Sequence, residues 1–226
     1  MGLPKTIAID GTAGSGKSTL GSLLAEALGY LYLDTGVMYR AVTLAVIKAG
    51  LSLDDESAIG ELARKVRIDV RPPSIDDGRD VDVLLDDEDV TWEIRQDDVN
   101  AWVSPVSTQR AVRDAMTEQQ RRIAQENNVV MVGRDIGTVV IPDADLKIYL
   151  DASLEVRAHR RYQEMLERGE TPDFNAVLAS LKNRDKIDSN REIAPLKPAE
   201  DAYIIDSDNL NICQVFETAK ALIYRM

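Results

Sequence analysis

Gly11-Thr12-Ala13-Gly14-Ser15-Gly16-Lys17-Ser18 fills every fixed position of the pattern G-x-x-x-x-G-K-[ST], and its two flanks decide the fold. Ahead of it, Thr6-Ile7-Ala8-Ile9-Asp10 is a short apolar run rich in β-branched residues, suited to a strand buried on both faces. Behind it, Leu20, Leu23, Leu24, Ala27 and Leu28 recur at helical spacing, and Gly29 stands where a C-terminal cap belongs. Strand, glycine loop and helix therefore follow in the order of a phosphate-binding P-loop. Glycines are needed where successive backbone N–H groups turn inward around a polyphosphate, because side chains would collide or φ becomes positive. The helix start adds its partial positive charge. Lys17 supplies a mobile cation for the outer phosphates, and Ser18 a hydroxyl for a magnesium ion bridging them. A plain glycine turn before a helix would not need all the fixed positions and both flanks.

At 226 residues the chain can bury a good core and is most economically one domain with insertions. A formal net charge of -12 argues against a surface for nucleic acid polymers, and makes local basic clusters more informative. Cys213, the single cysteine, excludes an intrachain disulfide and reads as a small core residue rather than a nucleophile. No signal peptide, transit peptide or apolar run of membrane-spanning length is present, so the expectation is a soluble, cytoplasmic protein.

Further along, Tyr30–Leu33 reads as a second strand ending in Asp34-Thr35-Gly36, followed by a helix over Val37–Ala49 that Tyr39 and Arg40 open. A helix is expected from about Leu53 to Ala63. Then Val66–Arg71 alternates, Pro72-Pro73 breaks, and Val81–Leu85 and Val90–Ile94 resume extended character, as in a small antiparallel insertion. Its acidic run, from Asp76, Asp77, Asp80 and Asp82 to Asp86, Asp87, Glu88 and Asp89, reads as a solvated, repelling surface without calcium-loop spacing. A charged helix is expected over Ser107–Glu126, with Val112, Ala115, Met116 and Ile123 on one side. Val129–Val132 is the clearest buried strand, with Gly133-Arg134-Asp135-Ile136-Gly137 at its carboxyl end. Leu146–Leu150 and Ala202–Asp206 complete the strands.

This pattern predicts an α/β fold. Its core is a P-loop unit with a five-stranded parallel sheet flanked by helices, joined by a small antiparallel β insertion and an arginine-bearing helical lid. Ligands of such sheets bind outside the carboxyl ends of the strands. The P-loop, Asp34-Thr35-Gly36 and Gly133-Arg134-Asp135 all stand there.

Between Asp151 and Ile193 lie Arg157, Arg160, Arg161, Arg168, Arg184 and Arg191, a dense set for an acidic protein. Helical pairing with Glu155, Glu164 and Glu167 is a sufficient reading for Arg168. No comparable set of carboxylates faces Arg157, Arg160 and Arg161, and phosphate is a sufficient partner for them. A P-loop protein that transfers phosphate to a small acceptor needs a second anion site, whereas a guanine-nucleotide switch needs an Asn-Lys-x-Asp motif, absent here. Two phosphorylated ligands end to end repel, and guanidinium groups neutralise them along with the transferring phosphoryl group. Water must be kept out, so a mobile lid is expected.

Several linked motifs together resemble the bacterial cytidylate kinases, nearly end to end. They are Asp34-Thr35-Gly36 with Tyr39-Arg40; Ser104 with Val112-Arg113; Gly133-Arg134-Asp135-Ile136-Gly137-Thr138-Val139-Val140; Arg157-Ala158-His159-Arg160-Arg161; and Arg184, Asp188-Ser189 and Arg191 before Ala194-Pro195-Leu196. The resemblance implies ATP-dependent, magnesium-assisted phosphorylation of CMP and dCMP by a cytoplasmic monomer. It implies a core over 1–39 and 103–226, a substrate-binding domain over 40–102 with the insertion at about 65–95, and a lid at about 153–172. ATP would lie on Gly11 through Ser18 and Thr19. Ser104, Arg113 and Asp135 would read cytosine, whose amino group suits a carboxylate and whose ring nitrogen and carbonyl suit a guanidinium. Asp188 and Arg184 would hold the ribose, and Arg40, Arg134 and Arg191 the acceptor phosphate, with Thr35 and Tyr39 beside them. Lys17, Arg134, Arg157 and Arg161 would stabilise the transferring group, the last two from the lid. Ser18 would hold the metal.

Two positions depart from that family. Val132 stands where an acidic residue is common, which leaves Ser18, substrate oxygens and Asp34 for magnesium; Asn100 stands where a serine is common. His159 reads as an exposed lid residue and not as a base. Two other readings remain open: a P-loop kinase for UMP, AMP or a non-nucleotide alcohol, and a nucleotide-dependent binding module.

Overall fold

Apolar residues on both faces of β1 (Thr6–Gly11) make it the middle strand of the sheet. In the computed structural model, which describes residues 2–191 and 193–225, β1 is flanked by β6 (Val129–Gly133) and β7 (Leu146–Asp151). β2 (Leu31–Asp34) and β8 (Tyr203–Asp206) close the edges, giving a five-stranded sheet in the order β2-β6-β1-β7-β8, parallel throughout. Register sets Asp10 opposite both Gly133 and Tyr149, so β1 and its two neighbours end at one level. Parallel order requires crossover helices on the faces.

One face carries α1 (Lys17–Leu28) and α8 (Ile212–Ile223), packed on Ile7, Ile9, Val130, Val132, Ile148 and Leu150. The other carries α2 (Gly36–Lys48), α3 (Glu56–Lys65), α4 (Asp97–Thr108) and α5 (Arg110–Glu126). Their core is continuous with a three-stranded antiparallel sheet, β3 (Ile68–Arg71), β4 (Asp82–Leu85) and β5 (Glu88–Asp89). Two helices, the amphipathic α6 (Leu154–Glu167) and α7 (Phe174–Ser189), form a hairpin with a small core of Ala158, Val177 and Leu181. No helix among the described residues is long and apolar enough to cross a membrane.

Several expectations are corrected. The charged helix begins at Arg110, not Ser107, because Gln109 is extended and separates it from α4. α4 itself escaped the sequence reading: Pro105 lies inside it, and a proline there removes a backbone donor and argues against helix. Val90–Ile94 is not a strand; Val90 N–H donates to the Val83 carbonyl and the chain then turns into a 3₁₀ segment at Glu93–Arg95. Cys213 is exposed near the start of α8 rather than in the core. The acidic run is only partly a repelling surface. Arg79, its side chain 4 % exposed, holds Asp77, Asp82 and Asp89 within 2.7–2.9 Å, and Trp92 Nε1–H donates to Asp77. Hydrogen bonding from Thr91, and next from Arg79, keeps the Asp89 carboxyl down at about 2.

Candidate active site

A cleft of about 1390 Å³ opens along the carboxyl ends of β1, β2 and β6, between α4 and the α6–α7 hairpin. Its floor at one end is the glycine loop. Gly14 and Gly16 have φ of 78° and 93°, left-handed values that side chains resist, and Gly16 hands the chain into α1. Gly11 lies where a Cβ would stand 2.3 Å from the Leu150 carbonyl oxygen, which excludes a side chain. Ala13, Ser15, Lys17, Ser18 and Thr19 line the cleft, while Gly11 and Thr12 back the loop. Lys17 is 6 % exposed and donates from Nζ to the Thr12 carbonyl at 2.9 Å. Burial, and next the charge of Arg134, push its ammonium well below its ordinary range. A phosphate arriving here would favour its charged form.

Ser18 Oγ–H donates to Asp34 Oδ2 at 3.0 Å, and Asp34 Oδ1 accepts the Gly36 N–H at the same distance. These hard oxygen donors at the loop's edge suit magnesium. Among the described residues no group of three or more histidine, cysteine, aspartate or glutamate side chains is placed to hold a metal ion by itself. Val132 is fully buried and packs on α1, its Cγ2 2.5 Å from where a Cβ on Gly21 would stand. Thr35 is also buried and its hydroxyl fastens the end of β2 to the Val132 carbonyl at 3.1 Å.

At the far end Arg113 Nη2 and Asp135 Oδ2 meet at 2.6 Å, with side chains 5 % and 8 % exposed. The Arg113 guanidinium lies 5.6 Å from the centre of the Tyr39 ring, whose phenol burial pushes upward. Ser104 is exposed on the wall beside them. Arg40 donates to the Ile94 carbonyl and, at 2.6 Å, to Asn100 Oδ1. Asn100 Nδ2 in turn holds the Arg95 carbonyl, so Asn100 fixes the direction of Arg40.

Asp188, 2 % exposed, sits between two cations: Arg134 Nε at 3.0 Å and the Arg191 guanidinium. Arg184 lines the same cleft and makes no ion pair or hydrogen bond among the described residues. Four arginines thus converge between the loop and the Arg113–Asp135 pair, with one carboxylate among them.

The lid arginines divide. Arg161 faces the cleft and pairs loosely with Glu164, both partners half exposed. Arg160 reaches the Ser15 carbonyl and grips Ser207 through Oγ and O at 3.1 and 2.7 Å. Arg157 does not face phosphate as expected. It is buried behind the loop, donating to the carbonyls of Ala13 and Ala152 and to both oxygens of Asp185. The expectation that no carboxylate faces this residue fails because Asp185 comes from α7. Arg168 pairs with Glu170 rather than with the helical glutamates. His159 is exposed and stacks on Phe174 at 4.6 Å.

The sequence reading missed the loop end of the cleft wall. Ser207, Leu210, Asn211 and Ile212 form it, and the one local signal was the capping box of Asn211 and Gln214 at the start of α8.

A sequence profile of the cytidylate kinase family matches residues 7–225. The cytidylate kinase of Chloroflexus aggregans is 52% identical over 210 residues, covering 93% of this chain and 90% of that protein. That of Roseiflexus castenholzii is 50% identical over 216 residues, covering 95% and 91%. That of Herpetosiphon aurantiacus is 47% identical over 223 residues, covering 99% and 96%. With a match that runs from β1 to α8, this chain belongs to the cytidylate kinase family.

Proposed function

We propose that the protein transfers the γ-phosphoryl group of ATP to CMP and dCMP, releasing ADP and CDP or dCDP. One observation carries this reading: a single cleft holds a P-loop at one end, a buried Arg113–Asp135 pair at the other, and Arg40, Arg134, Arg184 and Arg191 between them. Cations between two binding ends suit two phosphorylated ligands set end to end.

The P-loop N–H groups and Lys17 cradle the donor phosphates, with Ser18 and Asp34 as the protein's oxygens toward magnesium. Held there, such an ion would supply neutralisation of the charge on the donor phosphates. Asp135 accepts from the cytosine amino group, and Arg113, with Ser104 beside it, donates to the ring nitrogen and carbonyl. Arg40, Arg134 and Arg191 hold the acceptor phosphate, Arg184 and Asp188 the sugar, and Thr35 and Tyr39 the wall between. An acceptor phosphate would draw Arg134 and Arg191 from Asp188, freeing that carboxylate for a sugar hydroxyl. Arg160 and Arg161 close over the donor from the lid, while Arg157 braces the loop. No covalent intermediate is required; positioning in line and exclusion of water carry the catalysis. Residues 40–102 act as the acceptor-binding unit, 153–172 as the lid, and 1–39 with 103–226 as the core of a cytoplasmic monomer.

The test is ADP formation from ATP and magnesium with CMP, dCMP, UMP, AMP or no acceptor. Strong dependence on CMP or dCMP supports the reading. Preference for another acceptor keeps a kinase and removes the cytosine readers, and absence of turnover with every acceptor overturns transfer.

A further inference from the structure

Asp10 is the last charged residue of β1 before the glycine loop, 4 % exposed, and none of the roles above uses it. Its two oxygens accept the N–H groups of Ile136 and Gly137, each at 2.8 Å, across 126 and 127 residues of sequence. Those two N–H groups open the π-helical turn Ile136–Val140, whose first donors have no partner within the turn. The residue placed to cap them is Asp135, the type of side chain that ordinarily does so. It makes no such bond. Its carboxylate points instead to Arg113 at 2.6 Å, across the cleft end assigned above to the acceptor base.

One carboxylate cannot serve both tasks, and the fold divides them between two. We propose that Asp10 is a positioning residue: it caps the turn from the neighbouring strand so that the Asp135 carboxylate stays turned into the cleft and paired with Arg113. This rests on the reading of that pair as the cytosine reader. Three observations support the arrangement. Asp10 lies opposite Gly133 in the β1–β6 register, so the carboxylate reaches the turn without any change in backbone path. Gly137 keeps the joint open, since a Cβ there would crowd the Lys147 stem at 3.1 Å, which must then give beside the Asp10 carboxylate, itself in ordinary contact at 3.4 Å. Burial pushes the Asp10 carboxyl up to about 6, and the Gly137 and Ile136 N–H groups pull the other way, so those two bonds are what holds its charged form in place.

Without the Asp10 carboxylate the turn loses its caps, and Asp135 is the acceptor in place to replace them. It would swing away from Arg113. The consequence is unusual for a residue one position before the P-loop: damage should fall on the acceptor side, not on ATP.

The experiment is steady-state kinetics of wild type, Asp10→Asn and Gly137→Ala, varying CMP at saturating ATP and magnesium, then ATP at saturating CMP, with UMP as competing acceptor. Asn keeps the shape but offers one acceptor where two are needed; Gly137→Ala keeps the carboxylate and crowds the joint. In both variants KM for CMP should rise roughly tenfold and preference for CMP over UMP should narrow, with KM for ATP within about twofold of wild type. Unchanged CMP kinetics in Asp10→Asn beside a wild type that prefers CMP overturns this inference alone, as does a loss confined to ATP. A wild type indifferent to CMP overturns the functional reading and this inference with it. Should Asp10→Asn fail to fold, Gly137→Ala carries the same comparison.

Discussion

Arg157 on α6 and Asp185 on α7 form a two-point ion pair, with nitrogen–oxygen distances of 3.1 and 2.6 Å, and the same guanidinium donates to the Ala13 carbonyl of the glycine loop. One side chain thereby joins both hairpin helices to the phosphate-binding loop. Removing only the acid, by Asp185→Ala, leaves a guanidinium that is 4 % exposed without its counter-charge. We expect a loss of about 2–4 kcal/mol in urea unfolding, below the fully buried case because Asp185 keeps some solvent contact. Replacing both residues, Arg157→Met with Asp185→Leu, should recover much of that loss. Equal losses in the single and double variants would show that the pair is not the source.

Asp135→Ala should lower kcat/KM for CMP by about 2–4 kcal/mol, since a charged hydrogen bond goes and Arg113 is left buried without a partner. ATP affinity, measured by calorimetry on the same variant, should change little. If CMP kinetics matched wild type, the cytosine-reader assignment would fall.

Lys17, read from the sequence as a mobile cation, is buried in the structure, and Lys17→Ala should fold all the same. Its ammonium is already destabilised by burial and by Arg134, and its one hydrogen bond goes to the Thr12 carbonyl. Its removal should leave unfolding stability within about 1 kcal/mol while transfer falls by roughly 10²-fold or more, because charge on the transferring group loses the cation of the glycine loop. A collapse in stability would contradict this account.

Asp10 gives the protein a pH dependence whose sign is unusual for an aspartate. Its carboxyl is raised from 3.8 to about 6 by burial, opposed by the Gly137 and Ile136 N–H groups; Asp135 raises it further and Lys17 lowers it. Tyr149 is its other ionisable neighbour, across the register on β7. The folded state therefore binds the proton more tightly than the unfolded state. The stabilisation from protonated Asp10 is complete below 3.8 and is lost as pH rises through about 6. That amounts to about 3 kcal/mol. Melting curves of wild type and Asp10→Asn from pH 4 to 7 should show their stability difference drifting against wild type as pH increases; parallel profiles would refute the shift.

Much of this architecture was legible locally. The run Thr6–Asp10, the glycine loop and the helical spacing of Leu20, Leu24 and Leu28 belong to one strand–loop–helix unit, although Leu23 and Ala27, read onto the same face, are exposed and Ala25 is buried in their stead. The antiparallel insertion was legible from alternation and paired prolines. α4 was not, because Pro105 speaks against helix locally and only the burial of Val99 and Val106 against the rest of the core outweighs it.

Charged side chains mark the boundary most clearly. Sequence alone determined that Asp34, Arg134 and Asp135 stand at strand ends, where a parallel sheet gathers ligands, while Arg113, Arg184, Asp188 and Arg191 were reached only through the family resemblance. It determined the family through motifs whose spacing survives as a string. Which cation meets which carboxylate was decided only by the tertiary structure. Arg113 and Asp135 are 22 residues apart, Arg157 and Asp185 28, Arg134 and Asp188 54, and Asp10 reaches across 126. Hydrophobic periodicity records which way a side chain faces on its own element, whereas an ion pair depends on two elements brought together by the packing of others. For that reason Arg157, read from its helix as a free cation, proved to be a brace, and Asp10, read only as the end of a strand, proved to cap a turn on its neighbour.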